Sequence, residues 1–97
     1  MASEECAARF AANLRRCRRR ADLSQEDLAD LASMHRTAIG FLEKGARMPR
    51  IDTLVKLAAA LGIPAAELMD GIRWTPGGAQ PGQFSIQPAK DATAREQ

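Results

Sequence analysis

A chain of 97 residues, with 14 Lys and Arg against 12 Asp and Glu, holds one compact domain with a modest core and has no room for a second of ordinary size. The net charge of +2 is too small to establish a nucleic-acid partner, so the placement of the charges has to carry that argument. No apolar run approaches the roughly 18 residues of a membrane span, and residues 1–5 lack the apolar stretch of a secretory signal, so a cytoplasmic protein with no membrane partner is expected. Cys6 and Cys17 fall on nearly one helix face but about 16 Å apart in rise, too far to bridge. With a single His in the chain they read as small buried thiols, and neither a metal nor a cofactor is expected.

Ala7, Phe10, Leu14, Cys17 and Ala21 recur every three or four residues, which predicts an amphipathic helix from about Glu4 to Ala21 with arginines on its wet face and Asp22 at its exit. Ser24 and Asp27 form a capping-box pattern with Asp in place of Glu, opening a short helix from Gln25 to Ala32 that buries Leu28, Ala29 and Ala32. Only Ser33 and Met34 separate it from the next helix, Arg36 to about Lys44, which has His35 at the N-cap, Ile39 and Leu42 facing inward and Gly45 as C-cap. After a loop through Pro49, a fourth helix opens at Arg50 or Asp52, with Ile51, Leu54, Leu57, Ala58 and Leu61 as its apolar stripe and Gly62 as its end. Pro64, in a first-turn position, starts a last short helix, Ala65 to Met69, that turns Leu68 to the core.

At Gly71 the pattern changes. Pro76, Gly77, Gly78, Pro81 and Gly82 exclude helix, while Ile72, Trp74, Phe84 and Ile86 alternate with period two, as in two short strands around an eight-residue loop. Residues 89–97 are polar and read as a disordered tail. The organisation expected is therefore an all-α, five-helix domain over residues 4–70, an extended or hairpin segment over 71–88, and the tail.

Two short helices joined by a tight turn cannot bury enough surface alone, but within a bundle the second can project its outer face into a DNA major groove. Ile39 and Leu42 anchor that helix from beneath, leaving Arg36, Thr37, Gly40 and Phe41 outward. The stretches 23–29 (LSQEDLA), 35–45 (HRTAIGFLEKG) and 49–54 (PRIDTL) through 60–63 (ALGI) resemble, in order, the lambda-repressor-like family, also called Cro/CI or XRE. The resemblance spans about Arg9 to Asp70. It implies a five-helix lambda-repressor-like domain in which Arg36, Thr37 and Phe41 read base edges, Gln25 clamps a phosphate at a helix N-terminus, and Arg18 pairs with Glu43. Where the family usually has Gly in the turn, this chain has Ser33, at a cost in left-handed backbone.

The chemistry of the side chains agrees with those roles: Arg offers two donors to guanine, Thr a hydroxyl or a methyl, and Phe a surface for a thymine methyl, while Gly40 lets the backbones come close. Lys44, Arg47 and Arg50 flank the helix as phosphate ligands, and Ser24 and His35 stand at helix starts within reach of a phosphate. Arg15, Arg19 and Arg20 read as a solvated helix face. Nothing resembles a nucleophile with its base, or a pair of catalytic carboxylates, so no enzyme is expected. The expected function is a sequence-specific regulator of transcription that binds double-stranded DNA, reading a palindromic operator as a homodimer. The alternative is an antitoxin-type module that binds another protein first and DNA second. Ile72, Trp74, Phe84 and Ile86 are the candidate dimer or partner surface, within a segment, 71–87, open to a protein partner.

Overall fold

The computed structural model describes residues 2–88, and the expected tail lies outside them. Five helices are followed by a two-stranded hairpin: α1 (Ala2–Arg20), α2 (Gln25–Leu31), α3 (Arg36–Glu43), α4 (Ile51–Leu61), α5 (Ala65–Leu68), β1 (Ile72–Thr75) and β2 (Gln83–Ile86). No helix among the described residues is long and apolar enough to cross a membrane.

Charge suits the long helix α1, with Glu4 and Glu5 in its first turn and Arg18, Arg19 and Arg20 in its last, each sign at the end of the dipole that attracts it. Asp22 then takes a left-handed backbone, φ 60°, and the N–H groups of Asp22 and Leu23 donate to the carbonyls of Arg19 and Arg18, closing the helix end. The predicted capping box is present: Ser24 Oγ accepts from the Asp27 N–H at 2.9 Å, and the Asp27 carboxylate accepts from the Ser24 N–H at 3.1 Å. The bond from the Ser24 N–H, with a further contribution from the Ser24 hydroxyl, holds the Asp27 carboxyl below its ordinary range. The turn from α2 to α3 places Ser33 at φ 52°, so the left-handed geometry survives without Gly, fastened by the Met34 N–H on the Ala29 carbonyl at 2.8 Å.

The core gathers Phe10, Leu14 and Cys17 from α1, Leu28 and Ala29 from α2, Ile39 and Leu42 from α3, Leu57 and Ala58 from α4, and Leu68 from α5. Cys6 and Cys17 are buried free thiols whose pKa is pushed up by burial, which leaves them unreactive.

Several boundaries differ from expectation. Ala32 caps α2 and Lys44 caps α3, with Gly45 one step beyond at φ 75°. Pro64 is the N-cap of α5, not its first turn, and that helix stops at Leu68. Ile51 leaves the predicted stripe of α4: at the first residue of the helix it is 79% exposed, while Leu57 and Ala58 two turns on are buried, so the core covers the later part of that stripe and not its start.

The hairpin pairs Ile72 with Ile86 and Trp74 with Phe84 around a loop of residues 76–82, one shorter than predicted. Ile72 packs against the core cluster and Ile86 is half-buried, whereas Trp74 and Phe84 remain exposed. Burial of the ribbon's apolar face by the helices thus stops halfway along it. Asn13, wholly buried on α1, fixes the root of the ribbon by donating from Nδ2 to the carbonyls of Leu68 and Asp70, at 3.0 and 2.9 Å. Gly71, φ 85°, sits so close to Arg9 and to the Gln87 carbonyl that a Cβ would lie 2.3 and 2.7 Å from them. Only Gly closes this junction.

Candidate nucleic-acid interface

Ile39 and Leu42 hold the inner side of α3 in the core, while Arg36, Thr37 and Phe41 stand exposed on the other side. Gly40 lies between them with open space where a Cβ would be. A groove runs along this face, walled on one side by Arg36, Thr37, Gly40, Phe41 and Lys44 and on the other by Arg15, Arg18, Arg19 and Gln25. The four residues expected to read bases are therefore brought together, and a basic wall stands beside them.

Arg47 and Arg50 lie across Phe41 from that groove, lining a second, more apolar hollow with Met34, Ala38 and Met48. The Arg47 guanidinium sits 5.7 Å from the centre of the Phe41 ring, a cation–π contact that steadies both side chains on the outer surface. Arg50 is paired with Asp52 at 3.4 Å, but both are largely exposed, so the pair is weak and gives way readily to a phosphate. His35 is the N-cap of α3 without a side-chain capping bond. The Ser24 hydroxyl oxygen serves the capping box, and neither residue lines the groove.

Behind the groove a buried carboxylate ties three elements together. Glu43, the last residue of α3, accepts from Arg18 Nε at 2.6 Å and Nη2 at 3.0 Å, and from Gln25 Nε2 at 3.1 Å. Arg18 spends its remaining Nη1 on the Leu23 carbonyl at 2.8 Å. Burial pushes the Glu43 carboxyl up, but the hydrogen bonds from Arg18 and Gln25 and the charges of Arg18 and Arg15 outweigh it and hold the group below its ordinary value. The end of α3 is thereby locked to α1 and to the start of α2.

One expectation changes here. Arg15 is not a solvated surface group: it is half-buried and donates to the Glu43 backbone carbonyl, satisfying the end of α3. Gln25, expected on a phosphate, lines the groove and also has its side-chain amide on Glu43. Sequence reasoning also missed Asn13. The signal was there, since Asn13 falls in phase with Phe10, Leu14 and Cys17, where a polar residue requires buried partners. No set of three or more His, Cys, Asp or Glu side chains gathers as metal ligands among the described residues.

An exposed helix face beside a basic wall, held from behind by a buried ion pair in a five-helix domain, defines a DNA-binding helix-turn-helix protein. Comparison agrees: residues 14–68, more than half of the chain, match the helix-turn-helix family HTH_3, and the chain belongs to that XRE or Cro/CI-like family of transcriptional regulators, which are not enzymes. It is 41% identical over 60 residues to the control protein C.SmaI of Serratia marcescens, covering 62% of this chain and 71% of that one. It is 35% identical over 60 residues to the transcriptional repressor RstR of a cryptic phage of Vibrio cholerae, covering 62% of this chain and 54% of that protein. Among solved structures, the restriction-modification controller protein C.AhdI from Aeromonas hydrophila superimposes with a TM-score of 0.62 at 39% identity, over 64% of this chain and 94% of that one. The hairpin lies beyond the matched family segment.

Proposed function

We propose that this regulator reads a palindromic operator as a homodimer, with Arg36, Thr37, Gly40 and Phe41 reading base edges in successive major grooves. Lys44, Arg47, Arg50, His35 at the start of α3, and Ser24 and Gln25 at the start of α2 take phosphates. The observation that carries this reading is the division of α3: its inner residues are fully buried while Arg36, Thr37 and Phe41 stand exposed together beside a basic wall. Arg36 supplies the bidentate donors that distinguish guanine, and Phe41 the surface that distinguishes thymine. One eight-residue helix reaches only a few base pairs, so specificity needs two, held about 34 Å apart along the duplex. Likeness to controller proteins and to a repressor supports control of transcription as the outcome, in the cytoplasm and on the nucleoid when bound.

Selecting bound sequences from a random duplex pool tests the proposal. A two-fold symmetric consensus with half-sites about one helical turn apart is expected. An asymmetric single half-site, or no enrichment until a second protein is added, refutes it. The latter outcome favours the antitoxin-type reading.

A further inference from the structure

The hairpin presents Trp74 and Phe84 as an exposed aromatic pair, rings edge to face with centroids 4.9 Å apart, and the Trp74 indole lies so close to Gly82 that a Cβ there would be 2.5 Å from it. An aromatic pair built this firmly and left 55% and 41% exposed is a surface awaiting an occupant. We infer that its occupant is the same ribbon of a second copy of this chain, the two hairpins packing face to face about a two-fold axis. This rests on the dimer proposed above and names the surface that makes it.

Three features point to that occupant. First, residues 71–88 carry one charged side chain, Arg73, so two copies of the ribbon meet with almost no like-charge repulsion and offer no charge pattern to an oppositely charged partner. Second, the edges of the ribbon discourage strand addition. The Gln87 N–H donates to the Gly71 carbonyl at 2.7 Å, which fixes the hydrogen-bonding phase and directs positions 72, 74 and 76 of the first strand, and 84, 86 and 88 of the second, outward. Pro76 and Pro88 occupy two of those outward positions and remove their donors, so the face, not the edge, is the surface left for association.

Third, the ribbon and the recognition helix lie on opposite flanks of α1. Arg15 and Arg18 reach α3, whereas Arg9 and Asn13 hold the root of the hairpin. At about 100° per residue the two sets point nearly opposite ways, so pairing through the ribbon leaves both recognition faces uncovered. The area makes the contact a weak one. The exposed fractions of Trp74 and Phe84 amount to roughly 200 Å² per copy, about a quarter of what a standard interface buries on each side. Such a contact is weak enough to dissociate on dilution.

Trp74 is the only tryptophan in the sequence, so its emission reports on this surface directly. Sedimentation and fluorescence of the full chain are measured together across a dilution series. The mass is expected to fall from twice 10.5 kDa to 10.5 kDa while the emission moves to longer wavelength over the same concentrations, as the indole becomes wet. Phe84→Lys is expected to raise the dissociation constant about tenfold or more with helical circular dichroism unchanged, whereas Val55→Lys, on the exposed side of α4, leaves it unaltered. A dimer that dissociates without any change in emission, or that survives Phe84→Lys and is broken by Val55→Lys, overturns the assignment while leaving the dimer intact. A chain that is monomeric at every concentration and binds a duplex as one copy overturns the dimer itself.

Discussion

Replacing Glu43 by Ala removes the carboxylate that three side-chain donors share and leaves the Arg18 guanidinium with the Leu23 carbonyl alone. The Arg18 and Glu43 side chains are 12% and 4% exposed, so the charge left behind sits in a largely dry place. Breaking one member of a buried pair costs about 3 to 5 kcal/mol, and the water that reaches Arg18 and its surviving bond set the expectation at the lower end, about 3 kcal/mol. For a domain of this size that is a large fraction of a total of about 5 to 15 kcal/mol. Urea unfolding of Glu43→Ala, Arg18→Ala and the double variant measures it, with a coupling of about 2 kcal/mol between the two sites expected. Strict additivity, or single variants whose midpoints do not move, would refute the claim that this pair fixes α3 to α1. Its pH dependence follows from the depressed Glu43 carboxyl. A group whose folded pKa lies below its unfolded value, about 4.3 for Glu, stabilises fully above that value and loses its contribution as pH falls through the folded one. The native chain should therefore lose stability below about pH 4.5 more steeply than Glu43→Gln, with no difference in slope near pH 7.

The remaining expectations concern the interface, the turn and the hairpin root. Arg36→Ala should lose about 1 to 3 kcal/mol on the selected operator and relax preference at one base pair, while Lys44→Ala weakens all duplexes alike and lowers the salt slope by about one. Equal losses on specific and random DNA for Arg36→Ala remove it from the base-reading set. Ser33→Gly relieves a left-handed backbone at φ 52° and should raise stability by up to about 1 kcal/mol, the relief being partly offset by a freer unfolded chain; a lower melting temperature contradicts the reading of that turn. Asn13→Ala strips the Leu68 and Asp70 carbonyls of their buried donor and should cost about 1 to 3 kcal/mol in chemical denaturation. Unchanged stability would mean that other groups hold the ribbon root.

The sequence by itself determined the helices and which residues stand on the outer face of α3. Apolar residues recurring at three and four, a Ser24 and Asp27 cap, and Ile39 with Leu42 beneath Arg36, Thr37 and Phe41 are local patterns, and local patterns are readable because neighbours in sequence are neighbours on a helix. What only the tertiary structure decided concerns residues whose partners lie far along the chain. Arg15 looked like one arginine of a solvated run until α3 ended beneath it, and nothing near Gln25 in sequence showed that its amide also meets Glu43. Asn13 was a polar intrusion in an apolar phase until residues 68–70 returned to accept from it. Ile51 obeyed the apolar period and still faces solvent, because period fixes which residues share a face of α4 but not whether the rest of the domain covers that face along its whole length. The alternation of the ribbon was likewise legible, but how much of its face the helices would cover was not: that is set by the packing of the whole domain, which buries the Ile72–Ile86 end and leaves Trp74 and Phe84 exposed.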